Sequence, residues 1–296
     1  MTAAGGTTRR NPFLCGHYLF PLSNYQPHMD AELRRAVEEK CRALEIPLFG
    51  FAPAERWDAA PFEPWVPEPF RPAAVFPGTR TVIVIGLPVL LPVIDSAPSI
   101  WYHEHYGTLN ALLDQHAYRI AADLNARGHP AVPVPRDGYG SIGVLLRQPI
   151  AFFSHRHAAY LAGLGTFGIN NTLLTREFGP RVRFASILTT AEMPADPVMT
   201  DPLCIRCMRC VEACPVGALE PLDYPEGLTD KGACAARAET LYRRYISPCG
   251  LCIRVCPVGE DRRHHRREDP AIYDEADERF GPDHRAWTHI RSYGGS

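Results

Sequence analysis

Lysine, net charge and long apolar runs are what this sequence lacks. Among 31 basic residues only Lys40 and Lys231 are lysines, a bias of genome composition rather than a chemical device. The 33 acidic residues nearly cancel the basic ones, leaving a formal charge of -2. No large field exists for wrapping nucleic acid or docking on an anionic membrane. The longest apolar run, Val82 to Ile94, is too short to span a bilayer and is broken by Pro88 and Pro92. Arg9-Arg10 followed by Phe13-Leu14 superficially matches a twin-arginine export signal. The stretch behind it, CGHYLFPLSNYQPHMD, has neither an apolar h-region nor a small-residue cleavage site. A soluble, cytoplasmic protein with no membrane partner is expected.

What is abundant is cysteine in one place. Eight of the ten cysteines fall between Cys204 and Cys256, while Cys15 and Cys41 stand alone. A disulfide scaffold spreads its cysteines through a small secreted chain, whereas crowding late in a longer chain marks a ligand set in a reducing compartment. A length of 296 residues with 46% hydrophobic content suggests about two domains with ordinary cores.

Asp30 is positioned to cap a helix over ELRRAVEEKCRALE, whose Leu33, Val37, Cys41 and Leu44 recur at helical spacing and make Cys41 a core residue. IPLFGFA reads as a strand, Pro61 to Pro77 as an extended loop, and TVIVIGLP as a strand buried on both faces. Leu109 to Leu124 mark a long helix ending near Gly128, with AVPVP behind it as another strand or edge. A second helix, about His155 to Leu161, runs into the Gly-rich AGLGTFGINN; RVRFASILTT is strand-like, and Pro194 to Pro202 is a linker. The organisation expected is an α/β unit over 1–195, a small cluster-binding α+β unit over 196–260 and a polar tail over 261–296.

The second unit contains a repeat: CIRCMRCVEACPVGAL and CGLCIRVCPVGE share C-x-x-C followed by C-P-V-G, as a duplicated ferredoxin half would. Cys204, Cys207, Cys210 and Cys214-Pro215 form C-x2-C-x2-C-x3-C-P, in which three thiolates hold one [4Fe-4S] cluster and the fourth reaches the other. The second half offers Cys249, Cys252 and Cys256-Pro257, and Cys234 completes the count. The expected sets are Cys204, Cys207, Cys210 and Cys256 for one cluster, and Cys214, Cys234, Cys249 and Cys252 for the other. A zinc ribbon would give the repeated Cys-Pro endings no role. Paired low-potential clusters relay single electrons.

The double-cluster segment with its extra cysteine, GFAPAERW, and AYLAGLGTFGINNTLLTREFGPRVRFASILTT resemble the epoxyqueuosine reductases and reductive dehalogenases, over roughly Ala31 to Gly259. The resemblance implies a nitroreductase-like α/β unit holding base-off cobalamin, followed by the bacterial-ferredoxin-like unit, with one cluster close to the corrin. It implies that Gly163, Gly165, Phe167, Gly168, Asn170, Asn171 and Thr175 line the cofactor's nucleotide tail. Two departures stand out. Where epoxyqueuosine reductases carry an Asp in D-S-A-P before the Gly-rich loop, this chain reads FFSHRHAAYLAGLG with no acid. The chain also ends about forty residues after its last cysteine, leaving no helical-repeat extension for gripping tRNA. These departures point to a small-molecule substrate.

Blander readings apply to several motifs. Gly163-Leu-Gly165-Thr-Phe-Gly168 also satisfies G-x-G-x-x-G, yet it follows a helix and lacks the acidic residue of a dinucleotide site; otherwise it is a plain glycine turn. His103, Glu104 and His105 read as surface residues, because H-x-H on a helix aims the imidazoles at different faces. Arg262 to Arg267 read as a solvated tail, and Cys15 as a free thiol. No D-x-H-x-x-G stretch is present, in agreement with base-off binding without a histidine ligand.

The expected function is cobalamin-dependent reductive cleavage of an epoxide, halide or similar group, with electrons passed from ferredoxin or flavodoxin through both clusters. The alternatives are an electron carrier or reductive activator of a corrinoid protein, and a flavin-dependent reductase. The expected proton donor is Tyr106, whose phenol stays protonated at neutral pH, followed by His155 and His157.

Overall fold

The computed structural model describes residues 30–58 and 66–293. Arg9-Arg10, Phe13-Leu14, Cys15 and residues 61–65 of the Pro-rich stretch lie outside the described residues. The strands are β1 (Leu48–Pro53), β2 (Thr81–Pro88), β3 (Ala131–Val134), β4 (Thr166–Phe167), β5 (Leu173–Leu174) and β6 (Val182–Thr189). Four of them form one sheet in the order β1-β2-β6-β3, every neighbour antiparallel, while β4 and β5 pair separately.

The unbroken apolar run of β2 follows from both faces being covered. Ile83 and Ile85, with Ala185 and Ile187 of β6, pack against Leu33, Val37 and Cys41 of the helix Ala31–Ala43 and against Leu109, Leu113 and Ile120 of the helix Ile100–Ala126. Val82, Val84 and Leu188 point the other way, onto Ala158, Ala159 and Leu161 of the helix His155–Leu161. Continuous hydrophobic strands are usually a mark of parallel sheets, but helices on both sides impose the same pattern on this antiparallel one.

Asp30 caps the first helix, its Oδ1 accepting from Leu33 N at 2.7 Å, and Cys41 is fully buried in the core as its spacing predicts. The long helix starts at Ile100, earlier than its apolar stripe suggests, under a Ser99 cap. Tyr106 therefore sits inside that helix rather than at its start. The described part of the Pro-rich stretch is not wholly extended. Glu68–Phe70 and Pro72–Val75 are helical turns with proline in their first positions, where its missing N–H costs nothing.

Residues 261–293 are not a solvated tail. Arg262, Ile272 and Trp287 are buried, and the helix Gly281–Arg291 lies against the long helix. Trp287 stacks on Tyr273, ring centroids 6.0 Å apart, and Arg291 Nε donates to Ser96 O at 3.0 Å. The segment reads as polar because its few apolar anchors are too widely spaced to make a stripe.

Trp287→Ala should lower folding stability by about 3–5 kcal/mol, the usual cost of truncating a buried Trp. A urea unfolding curve with an unchanged midpoint would show that this segment adds nothing to the fold.

Candidate active site and cluster-binding segment

The repeat in the cysteine sequence is also a repeat in the backbone. Met208 (φ 61) and Gly250 (φ 71), each one residue after a cysteine, are left-handed and open the four-residue helices Arg209–Glu212 and Leu251–Arg254. Each helix leads into a Cys-Pro step, Cys214-Pro215 or Cys256-Pro257. Glycine adopts the left-handed turn at no steric cost, whereas Met208 pays for it.

The thiols fall into two neighbourhoods. Burial pushes the Cys210 thiol up to about 11, and Cys256, Cys204 and Cys207 add to that effect. Cys234 is raised by burial and then by Cys249 and Cys214, and Cys252 by burial and then by Cys234 and Cys249. Cys214 Sγ accepts from Ala218 N at 3.2 Å. Crowded, partly desolvated thiols of this kind become stable thiolates only beside a compensating cationic centre.

The second of these neighbourhoods opens onto a cavity of about 570 Å³. Cys214, Cys234, Cys249 and Cys252 line one wall; Tyr106, His155, His157, Asn170 and Asn171 line others, with Val66, Phe70, Val89, Leu145 and Ile150 among the apolar surfaces. The volume lies within the range for small-molecule and cofactor sites, about 300–1,000 Å³.

Tyr106 is held in a polar frame that sequence reasoning missed. The Arg183 guanidinium lies 4.1 Å from the centroid of its ring. Arg183 is oriented by Asp137 Oδ1 at 3.0 Å and by Asn110 Oδ1 at 3.2 Å. Burial raises the Tyr106 phenol above its ordinary value, while Arg183 and a hydrogen bond from Asn110 work in the opposite direction. The phenol is thus protonated at neutral pH, with a cation in place to ease loss of the proton. The one available sequence signal was Asn110, a polar residue at a buried position between Leu109 and Leu113.

The two histidines have a different character. His155 Nε2 donates to Pro135 O at 2.9 Å, which leaves Nδ1 to accept from Ser186 Oγ at 2.9 Å. His157 pairs with Ser154 Oγ and Tyr224 OH, both at 2.6 Å. Burial pulls His155 down to about 4 and His157 down to about 3. Both rings are neutral cross-links at pH 7, so the expectation of an imidazolium acid does not fit their surroundings. His103 and His105 are hydrogen-bonded as well, Nδ1 of His103 to Ser247 O at 2.6 Å and Nε2 of His105 to Leu90 N at 3.2 Å.

The Gly-rich loop divides. Asn170 and Asn171 reach the cavity, but Gly163, Gly165, Phe167, Gly168 and Thr175 are not on its wall. A Cβ on Gly165 would stand 1.9 Å from Leu174 O, and one on Gly163 (φ +73) 2.1 Å from Pro197 O. These glycines are there because backbones cross at contact distance, in keeping with the plain-turn reading. A Cβ on Gly168 would stand 2.4 Å from the Leu174 side chain. Phe167 stacks on Tyr224 with centroids 4.3 Å apart, in a smaller cavity shared with Cys204. Thr175 is fully buried and its Oγ1 accepts from Phe178 N at 3.1 Å.

A histidine whose folded pKa is depressed contributes full stability above its unfolded pKa of about 6.5, and loses it as pH falls toward the folded value. The urea midpoint should therefore drop between pH 7.5 and 5.5, and His155→Gln should make that drop smaller. An equal drop in both proteins would contradict a neutral buried His155.

Residues 203–260 match the family model of a 4Fe-4S dicluster domain. The tetrachloroethene reductive dehalogenase of Desulfitobacterium hafniense is 27% identical over 193 residues, 60% of this chain and 32% of that protein. The epoxyqueuosine reductase of Synechococcus sp. (strain RCC307) is 33% identical over 124 residues, 38% of this chain and 36% of that protein. The chain thus spans about a third of the length of the curated relatives it matches. Among solved structures, a catabolic reductive dehalogenase superposes with a TM-score of 0.62 at 18% identity, covering 90% of this chain and 39% of that one. An epoxyqueuosine reductase bound to a modified tRNA stem loop superposes with a TM-score of 0.54 at 18% identity, covering 81% and 70%. Among the described residues no helix is long and apolar enough to cross a membrane. The chain is a relative of the reductive dehalogenases and the epoxyqueuosine reductases, has their mixed α/β fold and carries a 4Fe-4S dicluster domain.

Proposed function

We propose that this chain is a cobalamin-dependent iron-sulfur reductase that removes an epoxide oxygen, a halide or a comparable leaving group from a small substrate. Its α/β unit is read as nitroreductase-like, and its electrons as coming from a ferredoxin or flavodoxin in the cytoplasm. One observation carries the reading: four cysteines of the dicluster segment line the same cavity as a phenol with a guanidinium against its ring. One solved neighbour, with a TM-score of 0.58 and 18% identity, is described as suggesting a mechanism for B12-dependent dehalogenation.

The residues present fit both cofactors. Cys204, Cys207, Cys210 and Cys256 would hold one cluster, and Cys214, Cys234, Cys249 and Cys252 the other, as the two thiol neighbourhoods suggest. The cavity's apolar surfaces suit a broad ring system. Arg156 and Lys231 also line it, each drawn down by burial and neither in an ion pair among the described residues, as suits a ligand bearing an anionic phosphate. A polyanionic tRNA is the less favoured substrate for a chain of charge -2.

When bound, cobalamin supplies reductive bond cleavage at cobalt, with the clusters delivering electrons singly. The chain's own part is to enclose the reaction and supply the proton. Reduction of R–X by two electrons and one proton gives R–H and X⁻, whereas loss of an epoxide oxygen takes two electrons and two protons to give an alkene and water; the first proton comes from the Tyr106 hydroxyl, any second from solvent, and Arg183 stabilises the phenolate left behind. His155 and His157 keep the wall of the cavity in place without titrating.

Protein loaded anaerobically with iron, sulfide and cobalamin should carry about eight iron atoms per chain, four for each cube, and should keep stoichiometric corrin absorbance through gel filtration. Cys252→Ala should lose about half of that iron. A chain that loads iron but no corrin would refute the cobalamin reading, and a flavin spectrum in its place would establish the flavin alternative. Once turnover is measurable, Tyr106→Phe should lower it by about 10²–10⁴-fold, the range of a general acid; a loss below tenfold removes Tyr106 from the role.

A further inference from the structure

Cys256 is the one buried cysteine of the eight in the dicluster segment. Its carbonyl oxygen is held by two arginines: Arg181 Nη1 at 3.1 Å, and Arg262 through Nε at 3.0 Å and Nη2 at 2.7 Å. Arg181 is neutralised, because its Nε and Nη2 meet the two oxygens of Asp261 at 2.7 and 2.6 Å. Arg262 has no such partner. It is 3% exposed, and its remaining acceptors are the Arg254 carbonyl and the Tyr273 hydroxyl.

The surroundings sharpen the imbalance. Arg254, 5% exposed, lies over the rings of Tyr273 and Trp287 with its Nε and Nη2 unpartnered. Of the nearby carboxylates, Asp283 pairs with Arg267 and Glu275 with Arg291, while Asp95 pairs with Arg267 and accepts the Tyr273 hydroxyl, one hydrogen bond removed from Arg262. Burying a charge with no counter-charge is strongly destabilising. A cube with four thiolates is anionic and gains a further negative charge on reduction, and its potential depends on nearby charge.

We propose that Arg262 sets the reduction potential of the cluster that Cys256 helps to hold, by fixing a buried positive charge against it. This cluster then takes up an electron from a ferredoxin- or flavodoxin-class donor before its partner cluster does. The donor is oxidised by one electron and the cube reduced by one; no bond forms or breaks and no proton moves. The inference rests on the cluster ligation proposed above, and iron content tests that ligation separately.

The experiment is a redox titration of the loaded protein, followed by electron paramagnetic resonance, with iron measured on each sample. In Arg262→Gln with full iron, the reduced-to-oxidised ratio of one cluster at fixed potential should fall about tenfold, or about 59 mV for one electron, while the other cluster is unchanged. Arg262→Lys, which keeps the charge, should recover most of the shift. Unchanged potentials in Arg262→Gln, or equal shifts in Gln and Lys, would overturn the proposal. Asp261→Asn acts with the opposite sign and covers a failure of Arg262→Gln to load. It leaves Arg181 uncompensated and should raise the ratio of the same cluster; loaded Asp261→Asn without such a rise would count equally against the proposal. Wild-type protein that takes up no iron would instead refute the ligation itself.

Discussion

Arg181 is the interaction on which the arrangement of this molecule depends. It is fully buried, precedes β6 by one residue, and reaches across to the cluster segment, where it donates to the carbonyls of Cys256 and Val258 and forms a paired contact with Asp261. Backbone bonds from Glu260 N to Arg176 O and from Asp261 N to Glu177 O close the same junction. An ion pair at this depth gains little over an apolar pair of similar shape. What it does is fix geometry: a planar guanidinium with several simultaneous acceptors permits one docking of the cysteine segment against the sheet.

Much of this was legible in the sequence because it depended on short spacing. The cap at Asp30, the two-sided burial of β2, the helix His155–Leu161 and the duplicated cysteine pattern are each decided by residues within a dozen positions of one another. The polar frame around Tyr106 was not legible. Asn110, Asp137 and Arg183 come from a helix, a loop and a strand far apart in the chain, and only Asn110, polar at a buried helical position, has a local pattern that sets it apart. The same reason hid the C-terminal segment, where Ile272 and Trp287 find partners only across the fold. The Gly-rich loop shows the converse difficulty. A vivid local motif proved to be shaped largely by backbone contact with Leu174 and Pro197, and only Asn170 and Asn171 of its predicted residues reach the cavity.

The period of a strand explains how one segment organises both faces of the site. Along β6, odd-numbered residues face the long helix and even-numbered ones face the helix His155–Leu161, as the packing of Ala185 and Ile187 on one side and Phe184 and Leu188 on the other shows. Arg183 therefore meets Tyr106 and Asn110, while Ser186 meets His155. Antiparallel pairing with β2 fixes that parity, with Leu87 opposite Arg183 and Val84 opposite Ser186. A slip of one residue would exchange the faces, placing the guanidinium among the alanines of the short helix and removing the cation from the phenol. The apolar register of the core and the polar register of the site are thus a single constraint. It is enforced by the burial of Ile83, Ile85 and Ile187, which makes the position of Arg183 as secure as the core itself.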